Sequence, residues 1–324
     1  MNSSCWRPTA SVDALASRSE ITWKLRKFFQ ERGFLEVHTP TLSHDTVVDR
    51  FINPIEVSGR ALDLPELREK RLYLQTSPEF CMKRLLAAGM QAIYQICPAF
   101  RASEKGEMHN PEFTMVEWYR VGDDMQLGIE LLAGLIEAVV DAPPIQHLTY
   151  QAAFEMHAGV DPLDCNVEDL ISRADELKLG IDANWSDEKD EWLNLFFADL
   201  VQPKLIAPTI VSLYPVTQSA LARISPVDPR VSERFELFMH GVELANGYNE
   251  LVYAPELEKR NELVNAQRVQ DGNVALPEES RLLDALRHGF PNSSGCALGL
   301  DRLVMVALGC SRVDQVIAFP LARA

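Results

Sequence analysis

A chain of 324 residues, 47% hydrophobic and 24% charged, can bury a full core and fits one large or two moderate globular domains. Its net charge of −16, with a pI near 4.9, leaves no overall positive field and disfavours non-specific nucleic-acid binding. The six cysteines (Cys5, Cys81, Cys97, Cys165, Cys296 and Cys310) form no CxxC pair and no zinc-like spacing to histidine, so free thiols in a reducing cytoplasm are expected. The N-terminal stretch MNSSCWRPTASVDALASRSE lacks an apolar signal core, and no segment approaches a membrane span, so neither secretion nor membrane insertion is expected.

In chain order, Ile21, Leu25, Phe28 and Phe29 share a helical face and Gly33 follows as a stop, which predicts an amphipathic helix over about 11–32. FLEVHTPTL then reads as a strand ending at Pro40, and RLYLQTS (71–77) as a short strand, with Pro78 opening a helix through CMKRLLAAG. Residues 91–102 and 112–121 read as two strands joined by the polar loop SEKGEMHNP, followed by a helix from about Asp124 to Ala142. Between Pro143 and Pro208 the texture turns acidic and helix-rich, as an insertion between two parts of one sheet would. Strand signals return at TIVSLYPV, helices are expected near 255–271 and 279–288, and the strand SSGCALGL runs into a helix, DRLVMVALG. Strands flanked by helices without regular βαβ alternation predict an α+β fold on a mainly antiparallel sheet.

Between those strands and helices lies SERFELFMHGVELANGYNEL (232–251), where Glu236, Glu243 and Glu250 recur every seven residues. His240-Gly241 and Asn246-Gly247 are turn signals, and Phe235, Leu237 and Met239 alternate with Glu236 and Phe238 at strand period. A hairpin turning at His240-Gly241 pairs Met239 with Val242, Phe238 with Glu243 and Leu237 with Leu244, and sets Glu236 diagonally from Glu243 on one face, about 7 Å apart. Such carboxylates repel unless one is protonated or a cation bridges them; the alternative is a solvated strand face.

In EFTMVEWYR, alternation puts Phe113, Met115, Glu117 and Tyr119 on one face and Thr114, Val116 and Trp118 on the other. Arg101 ends the preceding strand, where a guanidinium suits a phosphate or carboxylate, and His109 and Asn110 sit in the closing loop. In SGCALGLDR, Gly295 and Gly299 admit close approach to the backbone and Arg302 opens the next helix. The spacing fits neither a dinucleotide-binding nor a P-loop fingerprint; a planar base with its phosphate, or tight helix-on-sheet packing, remain as readings.

In that order, FFQERGFLEVHTPTL, FRASEKGEMHNPEFTMVEWY and GCALGLDR resemble motifs 1, 2 and 3 of the class II aminoacyl-tRNA synthetase catalytic fold, over about residues 15–320. YLQTSPEFCMKRL, HNPEFTMVEWY and GVELANGYNEL are similar to segments of lysyl-tRNA synthetases. That resemblance implies that Arg101 binds the α-phosphate of ATP, Phe113 stacks on adenine, Arg302 reaches the γ-phosphate side, and Glu236 and Glu243 hold Mg²⁺. It further implies an ATP site that includes Ala102, Ser103, Glu104, His109, Asn110, Leu244 and Gly299. A lysine pocket would comprise Ser77, Pro78, Glu79, Glu117, Tyr119, Asn246, Glu250 and Ala297, with Glu250 and Tyr119 reading the side-chain ammonium.

Two departures sharpen the resemblance. The motif 1 helix begins almost at the N-terminus, leaving no anticodon-binding domain before it, and motif 3 has Ala297 at its second glycine position. Both are shared by the elongation factor P lysine ligases, free-standing paralogues of lysyl-tRNA synthetase that activate (R)-β-lysine and join it to a lysine of elongation factor P. A smaller irregularity is Ser103-Glu104 where motif 2 normally has its adenine-contacting glutamate two residues after the arginine. The resemblance implies a single catalytic domain over 1–324 with an insertion at about 143–208, in a cytoplasmic homodimeric ligase using ATP and Mg²⁺ and acting on neither tRNA nor membrane. Alternatives are a truncated synthetase charging tRNA and a non-catalytic, amino-acid-sensing paralogue.

Overall fold

A computed structural model describes residues 6–182 and 185–324; Cys5 lies outside these residues. The first helix, α1 (Val12–Glu31), is capped by the Ser11 hydroxyl, which accepts from the Ala14 amide, and Gly33 at φ +74° ends it. The segment read as one strand to Pro40 makes only β1 (Leu35–Glu36) and β2 (Leu42–Ser43), because the chain leaves one sheet for another at Pro40. β2 joins β3 (Ile55–Ser58) and β4 (Arg71–Leu74) in a small antiparallel sheet; β3, the four-residue alternation IEVS, is not among the strands expected from the sequence.

Then come α2 (Glu79–Ala87), β5 (Ala92–Phe100), β6 (Glu112–Val121) and α3 (Met125–Val139), with Pro78 as the N-cap of α2 and Asp124 accepting from the Leu127 amide at the start of α3. The 143–208 section supplies β7 (Gln146–Thr149), α4 (Tyr150–His157), α5 (Val167–Glu176) and α6 (Lys189–Phe196). The chain continues through β8 (Thr209–Pro215), β9 (Val231–Met239), β10 (Val242–Asn249), α7 (Ala254–Gln270), α8 (Arg281–His288), β11 (Ser293–Gly299) and α9 (Leu300–Ala307).

The main sheet has the order β1-β5-β6-β11-β10-β9-β8-β7. All its inner neighbours are antiparallel, while β1 on β5 and β7 on β8 are parallel. The expected insertion therefore also lays an edge strand on the sheet, a pairing that local sequence does not encode.

One sheet face is apolar, and α1, α3 and α9 cover it: Leu25, Phe29, Leu132, Leu135 and Leu303 pack with Val116, Trp118, Leu237 and Leu298. Each such side chain contributes roughly 1.5–3 kcal/mol by leaving water. A second cluster, with Tyr150, Phe154, Trp192 and Phe196, packs on Val211 and Phe238, and a third joins Phe80 to Leu257, Leu282 and Leu286 across α2, α7 and α8. The opposite face of the central strands carries the polar and charged side chains.

The β9–β10 hairpin turns at His240-Gly241, both at positive φ as a type I′ turn requires. Met239 pairs with Val242 and Phe238 with Glu243, as expected, but Leu237 pairs with Ala245 because a bulge falls at Leu244. The expected turn at Asn246-Gly247 is absent; β10 runs straight through both residues, ladder-bonded to β9 and β11 on either side. Gly247 is there because the Phe235 ring fills the space a side chain would need.

Candidate active site

A cavity of about 900 Å³ opens on the polar sheet face. Alternation on β6 aims Phe113, Met115, Glu117 and Tyr119 at it, as expected, while Val116 and Trp118 enter the core. The Leu244 bulge keeps Glu243 on the same face as Asn246, Tyr248 and Glu250, and Glu236 lies opposite Asn246. All three seven-spaced glutamates line the cavity, together with Ser77, Glu79, Arg101, Glu104, His109, Asn110, Leu244, Ala297, Gly299 and Arg302. Pro78, Ala102 and Ser103 do not: Pro78 caps α2, Ala102 bridges to Asn53, and Ser103 takes φ +65°, which turns Glu104 rather than itself to the cavity.

At one end the groups are cationic. Arg101 lies 5.1 Å over the Phe113 ring and 3.6 Å from the Glu104 carboxylate, and its Nε is buried with no hydrogen-bond partner. A buried unpaired guanidinium N–H is costly, so this geometry calls for an anion. Arg302 donates to the Glu243 carbonyl at 3.1 Å and lies 2.6 Å from His109 Nε2, bridging the 101–111 loop and the hairpin. Burial, then the charge of Arg302, lower the His109 pKa, which leaves the imidazole neutral and able to accept. Asp301 holds this end together: its carboxylate accepts from the Thr114 amide at 2.9 Å and pairs with Arg18 of α1 at 2.5 Å.

Between the ends, Glu236 accepts from the Tyr214 hydroxyl at 2.6 Å and pairs with Arg234 at 2.5 Å. The Glu243 side chain keeps 41% of its surface open to the cavity. Partial loss of water in the cavity wall, then the charge of Glu236, raise its pKa.

At the other end three carboxylates converge. Glu117 accepts from the Ser77 hydroxyl at 2.7 Å and from the Tyr119 hydroxyl, and Ser77 in turn accepts from the Glu79 amide at 3.0 Å. Glu79 pairs at 2.5 Å with Lys83, one helical turn on, and Lys83 also pairs with Glu250. Burial, then the charge of Glu79, push Glu117 up to about 7, and burial pushes Glu250 up to about 8 against the pull of Lys83. Three carboxylates around one ammonium cannot all stay ionised, so the open pocket holds a proton near neutral pH. The Asn246 amide oxygen is buried with no donor.

Glu250 and Tyr119, expected to meet a ligand's ammonium, both line the cavity and are also engaged by Lys83 and Glu117, while Glu250 Oε1 is buried without a hydrogen-bond partner. Sequence reasoning missed Lys83, Arg234, Tyr214, Tyr248 and the Arg18–Asp301 pair; of these only the four-residue spacing of Glu79 and Lys83 was a visible signal. It also misread Gly295, whose missing side chain makes room for the Tyr119 ring and the Glu250 carboxylate rather than for a base. At Gly299 the backbone is open: a methyl group would meet only the Arg302 side chain, at 3.9 Å. The five described cysteines are unpaired, and no described helix is long and apolar enough to cross a membrane.

An antiparallel sheet carrying an arginine-lined pocket beside a carboxylate cluster, with α1, motif 2 and motif 3 meeting at Asp301, defines a class II synthetase catalytic unit, and residues 5–323 match the family of class II tRNA synthetases (D, K and N). The chain is 44% identical to the elongation factor P–(R)-β-lysine ligase of Salmonella arizonae over 321 residues, and equally to that of Erwinia tasmaniensis over 328, with 98% of each chain covered. The Histophilus somni ligase is 44% identical over 316 residues, 97% of each chain. The chain belongs to the family of elongation factor P–(R)-β-lysine ligases, a class that uses ATP.

Proposed function

We propose that this protein activates (R)-β-lysine with ATP and transfers it to the ε-amino group of a lysine on elongation factor P, as the names of its relatives describe. The observation that carries the reading is one cavity with an unpaired Arg101 N–H at one end and an ammonium-seeking carboxylate cluster at the other. A nucleoside triphosphate and a diamino acid laid head to head would satisfy both.

In the first step a carboxylate oxygen of the amino acid attacks the α-phosphorus. The bond to the bridging oxygen breaks, pyrophosphate leaves, and an aminoacyl-adenylate forms. Arg101 would neutralise the α-phosphate and Arg302 the far phosphates, with Phe113 stacking on adenine. In the second step the acceptor amine attacks the acyl carbon, AMP leaves with the bonding pair, and the amine's extra proton passes to AMP or water. Positioning and charge complementarity supply the catalysis, with no covalent enzyme intermediate.

Mg²⁺ would be held by Glu243 and Glu236 and would supply counter-charge to the triphosphate. The fit rests on the donor set: Glu243 presents a part-open carboxylate to the cavity on the same sheet face as Glu236, and its pKa, raised by burial first and by the charge of Glu236 second, reflects a repulsion that a cation would relieve. Mg²⁺ commonly takes one or two carboxylates beside phosphate oxygens, which two glutamates on one face of the cavity could supply.

The remaining parts of the reading are a single catalytic unit, a homodimer, a cytoplasmic location and no tRNA substrate; the net charge of −16 supports a protein acceptor over a polyanion. Intact-mass measurement of elongation factor P after incubation with the protein, ATP and (R)-β-lysine should show the gain of one β-lysyl group. Pyrophosphate exchange without that gain, or charging of tRNA instead, would overturn the reading.

A further inference from the structure

Lys83 is 2% exposed and does not line the cavity; it stands behind Glu79 and Glu250, pairing with both, and its ammonium lies 5.8 Å from the centre of the Tyr119 ring. Burial alone would strip its proton, but the carboxylates of Glu250 and Glu79 outweigh burial and keep it charged. Glu117 completes the set of three acids, tied to Ser77 and Tyr119. Three carboxylates against one internal ammonium leave two negative charges in a pocket largely closed to solvent, and an uncompensated buried charge is expensive.

Resting on the functional reading above, we propose that Lys83 is a positioning and specificity-determining residue: a resident counter-ion that fixes Glu79 and Glu250 and leaves two carboxylate charges, so that the pocket selects an amino acid with two ammonium groups. A ligand with one ammonium is matched only while the cluster keeps its proton and leaves a charge unmatched once that proton is lost, whereas a ligand with two completes the neutralisation and displaces the proton.

The groups that face the cluster are Glu79 from α2, Glu117 and Tyr119 from β6, and Tyr248 from β10 with Glu250 just after it; Arg234 of β9 is engaged by Glu236, and Arg223 donates to the Glu250 backbone carbonyl rather than to a carboxylate of the cluster. Helix α8 packs on α2 through Leu282, Leu283 and Leu286, and its Arg281 and Arg287 are engaged at the surface by Asp45 and Glu258. Lys83 is therefore the cluster's internal positive charge.

The experiment is amino-acid-dependent pyrophosphate exchange by the full chain as a function of pH. Wild type should accept α-lysine or β-lysine and discriminate at least tenfold against norleucine, which has one ammonium. Lys83→Met, keeping length but not charge, should raise the KM for the diamino acid tenfold or more while the KM for ATP stays within twofold. The acidic limb of kcat/KM for the amino acid should move up by about one pH unit, because a proton must then leave a cluster of higher charge. Lys83→Arg should return the limb to its wild-type position.

A Lys83→Met enzyme with an unmoved limb and unchanged amino-acid KM would overturn the inference, as would equal losses toward both substrates. If Lys83→Met does not fold, Lys83→Arg decides alone: a wild-type limb supports the role and a shifted one refutes it. Norleucine exchanged as well as lysine defeats this inference only, whereas diamino-acid exchange without transfer to elongation factor P defeats the functional reading and leaves this one standing.

Discussion

Arg302 Nη2 lies 2.6 Å from His109 Nε2, so a motif 3 cation is held by a motif 2 loop residue at the edge of the cavity. Arg302→Ala should raise the KM for ATP more than tenfold and cut kcat by about 10²–10³, the scale for removing a preorganised charge from a reacting phosphate. His109→Ala should cost only a few-fold in ATP KM, since it positions Arg302. Pyrophosphate exchange at varied ATP checks both, and binding of the amino acid by calorimetry should be unchanged.

Gly295 and Gly299 should part company when each is replaced by alanine. At Gly295 a methyl group would collide with the Tyr119 ring and the Glu250 carboxylate. Gly295→Ala should therefore abolish amino-acid binding while ATP still binds. Gly299→Ala, which meets only Arg302 at 3.9 Å, should keep amino-acid affinity within threefold. Calorimetric titration with each ligand separately gives the comparison.

The methyl of Ala297 lies on the cavity floor, in register with Glu117 on one side and Asn246 on the other. Removing it opens space where an amino group next to the carboxylate can sit. Ala297→Gly should shift the ratio of α-lysine to β-lysine activation toward α-lysine by about tenfold, within the range for one methyl group in a pocket. An unchanged ratio in pyrophosphate exchange would show that the floor does not set isomer choice.

Folded-state carboxyls pushed up to about 7 at Glu117 and about 8 at Glu250 bind protons that the unfolded chain has already released. Between about pH 4.5 and 8 the native state thus holds more protons, and these two groups take stability away as pH rises. A diamino acid supplies positive charge in place of the proton, so binding at pH 7 should release roughly one proton per site. Calorimetry in buffers of different ionisation enthalpy measures it. The rise in Tm on adding the amino acid should be larger at pH 8 than at pH 6.

Asp301 is 4% exposed, accepts from the Thr114 amide and forms an ion pair with Arg18. Asp301→Asn leaves Arg18 without its counter-ion and should destabilise the protein by about 3 kcal/mol, the lower end for breaking a buried pair because Arg18 keeps some solvent contact. The urea midpoint of unfolding reads this out, provided the slope is unchanged.

Much of the site was legible where a short period or a local turn decides the geometry. The alternation of Phe113, Met115, Glu117 and Tyr119 and the positive-φ tip at His240-Gly241 are local properties, and both survive folding. Asn246-Gly247 misled because two neighbouring strands outvote a local turn preference: every residue from Ala245 to Asn249 is paired with β11. The Leu244 bulge and the parallel edge strand β7 arise only when distant segments meet. The four-residue spacing of Glu79 and Lys83 signals no more than a helical pair, and the second partner of Lys83, Glu250, comes from a segment far away in the chain.

The bulge at Leu244 also sets where the hairpin tolerates a change of length. In a regular strand, residues on one face are an even number apart, yet Glu243 and Glu250 share a face at an odd separation because Leu244 is the extra residue. Losing Leu244 would restore an even ladder with Glu243 and Glu250 still facing the cavity. Losing any one residue from Ala245 to Asn249 with the bulge retained would instead put those two acids on opposite faces, one of them toward Trp118 and Leu298. Within β10, the bulge is the point where a single-residue deletion spares the cavity.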